Sequence, residues 1–180
     1  MLALVIGGAA SGKSEFAESL AMSLAAERYY VATMMSYDAE ADRRVERHRS
    51  MRRGKGFATV ERPLDLAGME LKSGPDAVVL LECASTLLGN ELCMPQGSGS
   101  GAWQAILAGV ERLVNSGINV VVVSNDVFGE GSAATPEMRE YTRQLGLLNC
   151  GLADMADCVA EVVCGLVQVH KGSLVSRGRA

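Results

Sequence analysis

Eight residues near the N-terminus, Gly7-Gly8-Ala9-Ala10-Ser11-Gly12-Lys13-Ser14, have the spacing G-x-x-x-x-G-K-[ST]. The pattern binds phosphate for a physical reason. Successive backbone N–H groups line a concave nest at a helix N-terminus, and glycines allow both the required torsions and close approach of the anion. Lys13 would reach the terminal phosphates of a nucleotide. Ser14 would set its hydroxyl on a magnesium ion that bridges phosphate oxygens. A short apolar run precedes the loop and helical periodicity follows it, which is the context such a cradle needs and a chance glycine turn lacks. Such loops serve kinases, GTPases, motors and nucleotidyltransferases alike, so the reaction has to be read from other residues.

Phosphoryl chemistry at such a loop commonly uses a carboxylate at the end of a hydrophobic strand to hold magnesium or its water shell. Glu82 ends Ala77-Val78-Val79-Leu80-Leu81 and fits the role. Asp126, after Val120-Val121-Val122-Val123-Ser124-Asn125, stands at an analogous strand end and competes for it. The plainer reading of either acid is a cap on a following helix or turn. Glu82 is the preferred magnesium partner.

Arg43, Arg44, Arg47, Arg49, Arg52, Arg53 and Lys55 crowd around His48, with Glu46 the one acid among them. Three readings compete: a solvated helix face, a clamp closing on a triphosphate through bidentate arginines, and a nucleic-acid patch. Neutral imidazole is a competent nucleophile toward phosphorus and can divide one transfer into two easier steps. Neighbouring arginines would favour the neutral ring and stabilise the charge that builds on phosphorus as it is attacked. Taken alone, a histidine among arginines is more often surface, and His170 is read as surface too.

These residues need a scaffold. Runs at 2–6, 29–32, 77–81 and 120–124 are aliphatic or β-branched without alternation, as in strands buried on both faces, and 158–164 completes the sheet. Helical spacing covers 14–27 (Phe16, Leu20, Leu24), 103–116 (Ile106, Leu107, Val110, Leu113, Val114) and 137–157 (Leu145, Leu148, Leu152, Met155). Strands alternating with helices imply an α/β fold: an open, mostly parallel sheet with right-handed crossovers. A length of 180 residues suits one domain, 1–180. Gly97-Ser98-Gly99-Ser100-Gly101 reads as a flexible connector, and the lone Trp103 as core.

Composition narrows the classes further. A net charge of −4 weighs against a dedicated nucleic-acid binder, and no apolar run approaches a membrane span. Cys83, Cys93, Cys150, Cys158 and Cys164 form no C-x-x-C pair, so neither zinc nor a disulfide framework is expected, and mostly buried reduced thiols are. No export signal is visible, which points to the cytoplasm.

The residues together resemble a known family, the bifunctional adenosylcobinamide kinase and adenosylcobinamide-phosphate guanylyltransferase of cobalamin biosynthesis. The likeness rests on the loop at 7–14, Tyr30-Val31-Ala32-Thr33, Arg44-Val45-Glu46-Arg47-His48-Arg49 and Thr59-Val60-Glu61. It continues through Leu80-Leu81-Glu82-Cys83, Asn90 and Val123-Ser124-Asn125-Asp126-Val127. Their order spans nearly the whole chain and is far more specific than the loop alone. The resemblance implies a P-loop NTPase-like three-layer domain and two activities: phosphorylation of the aminopropanol hydroxyl of adenosylcobinamide, then transfer of GMP from GTP to adenosylcobinamide phosphate. It implies GTP, ATP and Mg2+ as ligands and a homotrimer, with no nucleic-acid partner.

By the same resemblance His48 carries GMP covalently, with Lys13 as its catalytic companion in the loop. Nucleotide contacts map onto Gly7, Gly8, Ala9, Ala10, Ser11, Gly12, Lys13, Ser14, Ala32, Thr33, Met34, Arg49, Ser50, Met51, Arg52, Glu61 and Glu82, and metal contacts onto Ser14 and Glu82. This chain departs from the expected Asn-Glu-Val-Gly-x-Gly by reading Asn125-Asp126-Val127-Phe128-Gly129-Glu130-Gly131. The competing functions are a simple small-molecule kinase in which His48 is a bystander, and a nucleotide-switched protein that binds RNA or a partner.

Overall fold

The structure is a computed structural model that describes residues 1–35, 43, 46, 50, 53–71, 73–126 and 135–174. In chain order the elements are β1 (Leu2–Gly7), α1 (Lys13–Leu24), β2 (Glu27–Ala32), β3 (Phe57–Glu61), β4 (Ala77–Glu82) and α2 (Ala84–Cys93). They continue with α3 (Ala102–Asn115), β5 (Asn119–Asn125), α4 (Pro136–Met155), β6 (Cys158–Val163) and β7 (Leu166–Lys171). The strands form one 7-stranded sheet in the order β3-β2-β4-β5-β1-β6-β7. Every pairing is parallel except β6 with β7.

β4 is buried along its whole length, and β5 is buried at Val120, Val121, Val122, Val123 and Ser124, because helices cover both faces. Beneath one face α1 sets Ala17, Leu20 and Ala21 against Ala3, Val5, Val78, Leu80, Val121 and Val123. Over the other, α2, α3 and α4 bring Leu87, Leu88, Ile106, Val110, Leu145, Leu148 and Leu152 onto Leu4, Val79, Leu81, Val120 and Val122. The result is three layers with a core on each side of the sheet. Trp103 is partly buried and packs on the larger core.

Side-chain caps account for two helix starts. Thr135 accepts the Met138 N–H and Pro136 occupies the first turn of α4. Farther along that helix, bonds from Arg143 and Gln144 hold the Glu140 carboxyl down at about 2. Cys83 caps α2 through its thiol, which accepts the Thr86 N–H, so Glu82 is free of the capping role that was its plainer alternative.

Three elements were not anticipated. β3 lies at a sheet edge with Ala58, Thr59 and Glu61 exposed, so it has no buried apolar run to announce it. β7, the other edge, is exposed at all six residues. α2 contains Gly89 and Asn90, poor helix formers whose segment is held by Leu87 and Leu88 in the core. Two expectations are corrected. Cys93, Cys150 and Cys164 are exposed, Cys83 is half-buried and Cys158 alone is buried, because the first three sit on outward faces or in a turn. The 97–101 run is tied down rather than free. The buried Glu91 carboxylate accepts from the Ser98 N–H and hydroxyl, Gln144 donates to the Ser100 carbonyl, and a Cβ on Gly97 would lie 2.3 Å from the Glu91 carbonyl oxygen.

Candidate active site

Because β1, β2, β3, β4 and β5 run parallel, their C-terminal ends share one edge of the sheet, where ligand crevices of open α/β sheets form. The loop at 7–14 leaves β1 there. A Cβ on Gly7 would stand 2.5 Å from the Val162 carbonyl oxygen and 2.7 Å from Ser11 Oγ, so only glycine fits. Gly12 takes φ 92° as the residue before α1, and Ala10 is held at φ 55°, a left-handed value uncommon outside glycine. The loop is braced from behind by the β6–β7 turn, whose Gly165 N–H donates to the Ser11 carbonyl at 2.9 Å.

Gly8, Ala9, Ala10 and Gly12 are exposed, whereas Lys13 is buried and folds back so that Nζ donates to the Gly8 carbonyl at 2.9 Å. An ammonium has three donors, so two stay available to phosphate oxygens. Ser11 Oγ is buried without a hydrogen-bond partner among the described residues. A buried orphan hydroxyl costs free energy, and an anion in the cradle would relieve it. These observations fit the loop to a polyphosphate.

Ser14 and Glu82 meet across the gap between α1 and β4. Ser14 Oγ donates to Glu82 Oε1 at 2.5 Å, and the Tyr30 hydroxyl donates to Glu82 Oε2 at 2.9 Å. The carboxylate is 9% exposed, at the rim of the crevice. One hydroxyl and one carboxylate beside a phosphate cradle are a hard oxygen set that suits magnesium, which is usually bound by one or two protein oxygens, phosphates and waters. Asp126 is exposed beyond β5, its N–H on the Gly7 carbonyl at 3.2 Å, and Glu82 makes the Ser14 bond in its place.

Ala32, Thr33 and Met34 leave β2 beside this carboxylate. Thr33 is fully buried; its hydroxyl accepts the Cys83 N–H at 3.0 Å and lies 3.2 Å from the carbonyls of Glu82 and Cys83. Asn90 on α2 donates to the carbonyls of both Thr33 and Pro63, joining the ends of β2 and β3. Glu61 closes β3 in register with Ala32 and is exposed on the same edge. Next to them Asn125 donates to Ser85 Oγ at 2.7 Å and Tyr141 to the Ser85 carbonyl at 3.2 Å. Burial, with the Cys83 thiol nearby, raises the Tyr141 phenol above its ordinary value and keeps it a donor.

Ser50 is exposed, and its carbonyl accepts the Arg53 N–H. Arg53 pairs with Glu46 at 3.1 Å in full solvent, a contact worth about 0–1 kcal/mol. Lys55 is drawn off the basic cluster to the buried Glu18 of α1. His48, Arg44, Arg47, Arg49, Met51 and Arg52 lie outside the described residues. His170 is exposed and pairs with Glu161 at 2.8 Å. The sequence reading missed the Tyr30 contact with Glu82 and the Ser85–Asn125–Tyr141 cluster. Tyr30 had a signal, since a tyrosine inside a buried strand needs a partner for its hydroxyl.

A mostly parallel three-layer sheet with a phosphate loop after its first strand, and a serine–carboxylate pair beside it, defines a nucleotide-binding protein of the P-loop class. Residues 3–169 match the family model described as cobinamide kinase / cobinamide phosphate guanyltransferase, and the chain belongs to that family of enzymes. It is 34% identical to the bifunctional adenosylcobalamin biosynthesis protein CobP of Pseudomonas aeruginosa, over 94% of this chain and 96% of that one. It is 35% identical to the bifunctional adenosylcobalamin biosynthesis protein CobU of Escherichia coli (strain K12), over 92% of this chain and 97% of the relative. The protein of the same name from Salmonella typhimurium is 33% identical over 92% and 97%.

Proposed function

We propose that this protein phosphorylates adenosylcobinamide and then transfers GMP from GTP to adenosylcobinamide phosphate through a covalent GMP–histidine intermediate on His48. The observation that carries the reading is the family match over 3–169, which spans the phosphate loop and His48 alike. In the kinase step the corrinoid hydroxyl attacks the γ-phosphorus of a nucleoside triphosphate, ATP or GTP, and the nucleoside diphosphate leaves. Backbone N–H groups of Gly8, Ala9, Ala10, Ser11, Gly12 and Lys13 hold the phosphates, and the Lys13 ammonium offsets charge on the transferred group. Ser14 and Glu82 would hold Mg2+, which when bound would supply further neutralisation of the phosphate oxygens.

In the second reaction an imidazole nitrogen of His48 attacks the α-phosphorus of GTP. A P–N bond forms, the bond to the α,β-bridging oxygen breaks, and pyrophosphate leaves. A phosphate oxygen of adenosylcobinamide phosphate then attacks the same phosphorus, releasing His48 and forming the diphosphate of adenosylcobinamide-GDP. By the resemblance Arg49, Ser50, Met51 and Arg52 contribute to nucleotide binding, as do Ala32, Met34 and Glu61, while the buried Thr33 would support that edge rather than touch the nucleotide. The enzyme works in the cytoplasm as a homotrimer by the resemblance, an assembly state that sedimentation equilibrium checks. Among the described residues no helix is long and apolar enough to cross a membrane.

GTP labelled at the α-phosphate tests the covalent route. Acid-labile, base-stable label is expected on the wild type and not on His48→Ala. A wild type that stays unlabelled while it phosphorylates adenosylcobinamide would leave only the simple kinase.

A further inference from the structure

The carboxylate assigned to magnesium reaches the crevice from a buried strand end, and something has to hold its second oxygen. Glu82 is the last residue of β4, in register with Ala32, and Tyr30 stands two residues earlier on β2 opposite Leu80. Alternation sends Tyr30 and Glu82 to the same face of the sheet. The phenol therefore lies one side-chain length below the carboxylate and runs up to meet it. Its hydroxyl is 2.9 Å from Oε2, while Ser14 takes Oε1.

The tyrosine itself is fixed. It is 3% exposed, packs with the α1 layer and stands edge-on to Phe57, ring centroids 6.4 Å apart at 80°. Its hydroxyl donates to the carboxylate, a contact that phenylalanine in the same packing would lack. A ligand or near-ligand carboxylate needs its own partner to keep one orientation, since a free one rotates about its terminal torsion at little cost. Ser14 cannot do this alone. It spends its one proton on Oε1, which leaves its lone pairs open toward a cation.

We propose that Tyr30 is a positioning residue that locks the Glu82 carboxylate, through Oε2, in the orientation that pairs it with Ser14 and presents both to magnesium. The proposal rests on the assignment of magnesium to Ser14 and Glu82. Tyr30 is buried and bonded to the carboxylate, so its effect passes through Glu82.

The test uses the full-length protein, a fluorescent GTP analogue and titration with Mg2+. Tyr30→Phe should bind the analogue in EDTA within about twofold of wild type, while the Mg2+ concentration giving half of the metal-dependent gain in affinity rises about tenfold. In a Glu82→Gln background the added Tyr30→Phe should change that value by less than about twofold, because the group being positioned is gone. A Tyr30→Phe protein with wild-type Mg2+ dependence, however much its melting temperature drops, overturns the proposal. So does an independent, additive effect in the Glu82→Gln background. If Glu82→Gln itself keeps wild-type Mg2+ dependence, the magnesium assignment fails and this inference fails with it. Loss in Glu82→Gln without loss in Tyr30→Phe removes the inference alone.

Discussion

Ser11 shows how a single atom can shape a loop for an anion. Its hydroxyl is buried over Gly7, whose missing Cβ leaves the space, and it finds no hydrogen-bond partner among the described residues. Evolution toward apo stability would favour alanine here, which fits the space without stranding a polar group. Ser11→Ala is therefore expected to leave the stability of the free protein unchanged or raised by up to about 1 kcal/mol in urea denaturation, while nucleotide affinity falls about tenfold. Equal affinity of the two proteins in a fluorescence titration would show that the hydroxyl does not reach phosphate. Lys13 and Ser14 were legible from spacing because the loop is local. Tyr30 was not, since its meeting with Glu82 depends on the register of two strands far apart in the chain.

At the scale of elements, α2 does more than cover the sheet. Its buried Glu91 accepts from the Asp65 N–H at 2.7 Å, the Ser98 N–H at 2.8 Å and the Ser98 hydroxyl at 2.9 Å, while Asn90 on the next position binds the ends of β2 and β3. One helix thus fixes the loop after β3, the 97–101 turn and the segment carrying Thr33. Glu91→Ala empties a buried helix position and removes the acceptor shared by two backbone N–H groups and a hydroxyl, and should cost roughly 1–3 kcal/mol by urea denaturation. A loss near zero would mean that water replaces the carboxylate. β1, β4 and β5 could be read from sequence because burial on both faces writes an unbroken Val/Leu run. β3, β7 and α2 could not: the two edge strands owe their place to neighbours rather than to apolar content, and the helix is secured by tertiary packing despite Gly89 and Asn90.

At the scale of the molecule, the phosphate loop is attached to the inner part of the sheet. β1 lies between β5 and β6, and the loop it feeds is bonded through Ser11 to Gly165 in the β6–β7 turn. A ligand that grips this loop holds the native arrangement of strands on both sides, and it has no comparable site in the unfolded chain. Nucleotide with Mg2+ at about 100 times its dissociation constant should then stabilise the fold by about 2.7 kcal/mol. For a chain of this size that corresponds to roughly 5–10 °C in melting temperature. Amide exchange at Gly165 should slow in parallel, because its acceptor is part of the gripped loop. Lys13→Ala should still unfold cooperatively but lose most of the ligand-induced shift, together with the added protection at Gly165. If Lys13→Ala keeps the full shift, the nucleotide sits somewhere other than this loop. If the shift appears in the wild type without slower exchange at Gly165, the hairpin supports the loop in the free protein but does not share in its stabilisation by ligand.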